Sequence, residues 1–186
     1  MELTPKAPTP AVVHVSLDET LRRMKADLRR EFPRVKFSVR RSRGTGYGFV
    51  YVGWTDGPRA ADVRDVVAQY EGEGFDGMTD SSFPIEHVDA DEHGAPRVVR
   101  YGTRGISCSR THSAGRLAIS ARLLLLRCPD PKLSDDRRAE LRNLDDVSLA
   151  KELNRVRLWD DYLATLVYRA LEAEAGSTLS NLLNPS

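Results

Sequence analysis

Val35-Lys36-Phe37-Ser38-Val39-Arg40 alternates strictly between apolar and polar side chains. After Arg43-Gly44-Thr45-Gly46 a second run, Tyr47 to Trp54, alternates again. Side chains of a strand point to opposite faces in turn, so the first run predicts a half-buried strand with Val35, Phe37 and Val39 inward. The second puts Val50, Val52 and Trp54 on one face and Phe49 and Tyr51 on the other. The short glycine-containing link makes the two a β-hairpin. Gly44-Thr45-Gly46-Tyr47-Gly48 therefore reads as a hairpin turn. A dinucleotide fingerprint needs a helix after its glycines, and no Gly-Lys-Ser/Thr is present. Arg40, Arg41 and Arg43 beside the turn's amides have the chemistry to hold a phosphate.

Upstream, Ser16 and Glu19 form a capping box, and Leu17, Leu21, Met24 and Leu28 share one helical face. Arg22, Arg23, Lys25, Arg29 and Arg30 occupy the other, and Phe32-Pro33 ends the helix. Residues 1–15, with Pro5, Pro8 and Pro10, read as an extended arm in which Val12 to Val15 can add an edge strand. Downstream, Asp56-Gly57-Pro58 starts a helix carrying Val63, Val66, Val67 and Tyr70 on one face. Gly72, Gly74 and Gly77 mark an irregular stretch leading to an acidic loop near Asp89 to Glu92. Arg97 to Tyr101 and Gly105 to Thr111 look like a second strand pair, and Ser113 caps a helix through about Leu126. Cys128-Pro129-Asp130-Pro131 is the clearest boundary, because two prolines in three residues do not sit inside an element. Beyond it, Ser134 caps a short helix. A long helix starts at Asp145 or Asp146, carries Leu149, Leu153, Val156, Leu163, Val167 and Leu171, and ends at Gly176. The expected fold class is α+β: a mostly antiparallel sheet from two hairpins packed against helices over residues 16–128. A helical subdomain over 132–176 and a loose tail over 177–186 follow.

The chain has 186 residues, 40% hydrophobic and 30% charged, enough for one domain plus a helical appendage. No apolar run approaches the roughly 20 residues that span a bilayer, so no membrane partner is expected. The first residues lack the apolar core of a secretory leader, and Cys108 and Cys128 form neither a disulfide framework nor a zinc pattern. A cytoplasmic location, in a host bacterial cell, is the expectation.

Phe32 to Arg40, Trp54-Thr55-Asp56-Gly57-Pro58, Phe75-Asp76-Gly77-Met78-Thr79-Asp80 and Arg110 to Ser113 together resemble the large polyvalent protein-associated domains, type twenty-nine of that series. The resemblance covers roughly residues 18–115. It implies the company of phages and conjugative elements, where such domains accompany enzymes and counter-defence factors. It implies no reaction and no catalytic residue.

The net charge of +1 hides segregation. Residues 22–43 hold ten Lys/Arg against Asp27 and Glu31, a net of +8; residues 56–92 hold eleven Asp/Glu against Arg59 and Arg64, a net of −9. Residues 97–127 hold seven Arg and no acid. Either the blocks face each other in the fold, or they leave basic and acidic faces that steer charged partners. Two functions follow. The first is a non-enzymatic counter-defence protein that blocks a host complex such as a CRISPR effector or restriction enzyme. The alternative is a nucleic-acid-binding accessory in conjugation or phage entry. Candidate contacts are Lys36, Arg40, Arg41, Arg43, Arg104 and Arg110 for phosphates, Tyr47 and Tyr51 for bases, and Asp56, Asp76 and Asp80 in the motifs that carry the resemblance. The three acids read as turn residues or as a convergent group near the hairpin's end.

No catalytic residue, metal ligand or cofactor is assigned. Cys108 and His112, four apart on a strand, lie about 13 Å apart at Cα, beyond hydrogen-bond reach. His87, Asp89, Asp91 and His93 alternate on the acidic stretch as a solvated loop or a divalent-metal trap. In the C-terminal helix, residues 158–168 are more apolar than one buried face requires. That predicts either cover from neighbouring helices or an interface, in a homodimer or with a partner, on Trp159, Tyr162 and Leu166.

Overall fold

Ser16 starts the first helix as its sequence requires: its hydroxyl accepts the Glu19 N–H at 3.3 Å. The strand β1 (Val13–Val15) precedes it, and α1 (Leu17–Glu31) follows. The computed structural model describes residues 12–91, 93–127, 130–159 and 161–172. Most of the expected arm, Cys128, Gly176 and the tail lie outside them. The described residues fall into two compact units, divided between Thr111 and His112.

In the first unit, α1 ends where Phe32 N–H returns to Leu28 O at 3.0 Å. The alternating runs form β2 (Ser38–Arg41) and β3 (Phe49–Thr55), paired antiparallel with Arg40 opposite Tyr51. Then come α2 (Ala60–Val67), a 3-10 turn at Ala68–Tyr70, β4 (Glu73–Asp76), β5 (Ser81–Pro84), β6 (His87–Ala90), β7 (Pro96–Tyr101) and β8 (Gly105–Thr111). Leu21, Met24 and Leu28 of α1 pack with Val50, Val52 and Trp54 of β3, with Val63, Val67 and Tyr70, and with Val99 and Tyr101 of β7. Val35, Phe37 and Val39 pack against this core from its margin, as their alternation predicts. Each fully buried aliphatic side chain contributes about 1.5–3 kcal/mol.

The α+β class holds, but the second hairpin does not form. β7 joins β1 in parallel and β6 antiparallel, whereas β8 joins β3 in parallel, with Val52 opposite Cys108. The link between β7 and β8 explains why. Buried Thr103 donates its hydroxyl to Tyr70 O and accepts the Gly72 N–H at 3.1 Å. Gly102 lies so close to the β1–α1 junction that a Cβ would come within 2.8 Å of Leu17 N. Tied at both points, the chain is led away from β7 instead of reversing onto it. The glycine-marked stretch is also more regular than expected. β4 and β5 form a hairpin, in which Gly74 leaves room for the Phe83 ring; a Cβ there would meet it at 2.4 Å. The start of the expected acidic loop is in β6, with Asp89 opposite Arg97, and Asp91 follows the strand.

The second unit holds α3 (Ala114–Arg127), α4 (Asp135–Asn143), α5 (Asp146–Glu152), β9 (Arg157–Leu158), β10 (Asp161–Tyr162) and α6 (Leu163–Glu172). Ser113, Ser134 and Asp145 cap the three helices that follow them. α3, placed by the sequence with the α+β domain, belongs by packing to the helical unit. Its Ala118, Ala121, Leu124 and Leu125 share a core with Leu141, Leu149, Leu153, Leu158, Leu163 and Val167. The single long helix expected from Asp145 is two. Between α5 and α6 the chain reverses through β9 and β10, with Trp159 at φ 55°. Asp130, 2% exposed, holds this reversal: its carboxylate accepts the Trp159 N–H and, at 2.8 Å, the Lys132 N–H. Burial alone pushes that carboxyl up, but the two N–H groups outweigh it and hold the pKa below the usual carboxylate range.

Candidate functional site

The acidic and basic blocks meet inside the first unit. Asp89 takes Arg23 at 2.9 Å and Arg97 at 3.5 Å, Glu86 takes Arg100 at 2.9 Å, and Glu73 takes Arg104 at 3.1 Å. Asp62 takes Arg59 at 2.6 Å, and Arg41 pairs with Asp18 at 2.8 Å. On α1, Arg22 and Arg23 both bind Glu19, which holds its carboxyl down at about 2. Desolvation works against the Asp89 charge, yet the Ala90 N–H and the two guanidinium groups keep its pKa below the usual value.

A second set of cations is left over, and the fold gathers it. Lys25 and Arg29, one helical turn apart on α1, face Lys36 and Arg40 across a groove of about 620 Å³ floored by Leu28, Phe37 and Val39. None of the four has a carboxylate partner among the described residues. The alternation that buries Phe37 and Val39 turns Lys36, Ser38 and Arg40 outward, and the amphipathic register of α1 does the same for Lys25 and Arg29. Arg34 and Lys36 also reach a neighbouring hollow beside Trp54 and the Asp56-Gly57 turn. Arg43 likewise has no carboxylate partner among the described residues.

Beside the groove lies the outer face of β2–β3–β8. Phe49, Tyr51, Gly53 and Thr55 project there from β3, flanked by Gly105, Ser107, Ser109 and Thr111 of β8 in register. Tyr51 is 53% exposed and stands between Arg40 and Ser107. Phe49 lies over Gly105, where a Cβ would come within 3.1 Å, and carries the Arg104 guanidinium 5.4 Å from its ring centre. Tyr47, 62% exposed, precedes them.

The other sequence candidates serve local structure. Arg110 donates to Gly57 O at 2.9 Å and braces the turn after β3. Asp56 and Asp80 take left-handed backbone, with φ of 57° and 50°. Asp76 accepts the Met78 N–H and the Thr79 hydroxyl, both at 2.9 Å. Asp56 belongs to the turn after β3, Asp76 and Asp80 to the β4–β5 turn, so each acid serves its own turn. Cys108 sits at the core's margin, where burial pushes its thiol up. His112, in the second unit, packs on Tyr168 with ring centres 5.7 Å apart. His87 Nε2 bonds Glu71 O, and Asp91 accepts the His93 and Ala95 N–H groups. No metal-holding group of three or more His, Cys, Asp or Glu occurs among the described residues. Leu158 is in the core of the second unit, Trp159 and Leu166 pack against it, and Tyr162 lies under the Arg157 guanidinium at 5.1 Å. The apolar surplus of 158–168 is thus largely covered within the unit, because the reversal at Trp159 turns Leu158 inward. Lys25 and Arg29 were legible as one face of α1. Their convergence with Lys36 and Arg40 depends on the packing angle of helix on sheet, which no spacing reveals.

The architecture is an α+β domain followed along the chain by a helical unit; none of the described helices is long and apolar enough to cross a membrane. The chain belongs to the family described as Large polyvalent protein associated domain 29, whose model matches residues 15–113, more than half of its length. The match starts at the last residue of β1 and stops just after β8, so it coincides with the first unit. No curated protein and no solved structure matches the chain.

Proposed function

We propose that the protein is a non-enzymatic nucleic-acid-binding module of a phage or other mobile element, with the groove between α1 and β2 as its phosphate grip. The observation that carries this reading is the division of charge. Asp62, Glu73, Glu86 and Asp89 are matched by arginines of the same unit, while Lys25, Arg29, Lys36 and Arg40 line one concave surface without carboxylates. A counter-defence protein that presents acid to the basic channel of a host complex would instead work through the carboxylates that have no cation partner among the described residues, such as Asp65, Glu71, Asp80 and Asp91. A form in which the same groove grips the guide strand of a CRISPR effector rests on the same cations.

Four phosphate contacts give log K a slope of about −3 against log salt for a single strand, from roughly 0.7 per contact. Anisotropy titration of labelled oligonucleotides over a salt series measures it. Lys36→Gln combined with Arg40→Gln is expected to flatten the slope by about half and weaken binding to every sequence alike. Absence of salt-dependent binding, or a slope unmoved by that variant, would remove this reading.

A further inference from the structure

We infer that the outer face of β2–β3–β8 is a stacking platform for the bases of a single-stranded nucleic acid, with Tyr51 as its principal ring. This rests on the phosphate grip proposed above and names the class of strand it takes. The Tyr51 ring is half exposed and makes no ring or cation contact among the described residues. Its neighbours in register are Arg40 on one side and Ser107 on the other. Gly53, Gly105 and Ser109 keep the surrounding surface low, so the ring stands above a small polar floor. Adjacent strands lie about 4.8 Å apart, so Arg40 brings a phosphate-binding cation one strand away from the ring.

The same geometry disfavours a duplex. Every base has a π-face that stacks on an aromatic side chain, but in a duplex those faces are hidden inside the stack. Phe49 and Tyr51 are two positions apart on β3, so they stand on one face about 7 Å apart, spaced for successive bases of an extended strand. Phe49 already carries the Arg104 guanidinium, itself paired with Glu73, which leaves Tyr51 as the open ring. Arg40 belongs to both parts of the surface: it lines the groove and flanks the ring. A strand whose phosphates follow Lys36 and Arg40 can therefore pass over β2, the edge strand, and lay its bases on β3.

The test uses the full chain and three probes: fluorescein-labelled oligodeoxythymidine, oligouridine, and a duplex of equal length and mixed sequence. Single strands are expected to bind tighter than the duplex. Tyr51→Ala should weaken single-strand binding about 10- to 100-fold with the salt slope unchanged, because stacking releases no counterions. Tyr51→Phe should keep the affinity within about twofold, because it keeps the π-face. Circular dichroism on both variants checks the fold, which an exposed side chain leaves intact. Equal affinity for duplex and single strand, or a Tyr51→Ala variant that binds like the parent, overturns the platform and leaves the phosphate grip standing. A parent protein that binds none of the three probes overturns both.

Discussion

Asp130→Ala tests how the helical unit is held together. The Asp130 carboxylate is almost fully buried and accepts two backbone N–H groups, those of Trp159 and Lys132. A hydrogen bond to a charged acceptor contributes about 1.5–3 kcal/mol, and an N–H left without a partner costs more when it is buried. Lys132 is exposed and its N–H can turn to water. The Trp159 N–H is half-buried, on a residue that already bears the strain of φ 55°. The expected loss is about 3 kcal/mol, which for a unit of this size lowers its urea midpoint by roughly 2–3 M. The two tryptophans make the assay clean, because Trp54 lies in the first unit and Trp159 in the second. With Trp54→Phe as background, the fluorescence of Trp159 follows the helical unit alone. The sign with pH is fixed as well. The folded carboxyl titrates below its unfolded value. Its contribution is therefore complete above about pH 4 and disappears as pH falls through the lower, folded pKa. Parent and variant midpoints should converge in acid. A midpoint shift below about 0.5 M at neutral pH would show that Asp130 does not hold the reversal.

Thr103→Val removes a buried hydroxyl that serves both Tyr70 O and Gly72 N–H. A loss of about 1–3 kcal/mol in the first unit is expected, read from Trp54 fluorescence in urea, and an unchanged midpoint would count against the proposed tether between β7 and β8. Asp89→Asn frees Arg23 and Arg97 from their shared carboxylate. Arg23 keeps Glu19, so one cation is released: nucleic-acid affinity should rise and the salt slope steepen by up to about 0.7, and a variant with parental slope would place Arg97 away from the bound strand.

Much of the first unit can be read from local pattern. Ser16 followed by Glu19 marks the start of α1, Phe32-Pro33 its end, and the alternation from Val35 to Trp54 gives a hairpin with the observed faces. Those features depend on neighbours in sequence. The pairing of β8 with β3 does not: two alternating strands look alike whether they meet each other or partners elsewhere, and the tether at Thr103 joins residues 33 and 31 positions apart. β6 was hidden for another reason. Asp89 and the acids that follow it suggest solvation until Arg23 and Arg97 are seen to close on Asp89. In the helical unit, Leu153, Val156 and Leu163 keep a helical apolar rhythm through a break that Asp130 imposes from outside the stripe. As for the site, Arg40, Lys36 and Tyr51 were evident as an alternating outward face. Arg41, Arg104 and Arg110 carried the same signal, and only their partners Asp18, Glu73 and Gly57 O distinguish them.

The parallel pairing of β3 with β8 has a consequence for how the protein is made. Thr55 and Thr111, whose hydroxyls meet at 2.9 Å, are 56 positions apart. At synthesis rates of about 5–20 residues per second, one side of β3 waits about 3–11 s for its partner strand to be translated. During that interval the β2–β3 hairpin can form locally, but Val50-Tyr51-Val52 presents an unpaired apolar edge, the kind of segment from which misassembly begins. Arg40 and Arg41, opposite Tyr51 and Val50, lie on β2 on the far side of β3 from that edge, so nothing on the hairpin closes the edge until β8 arrives.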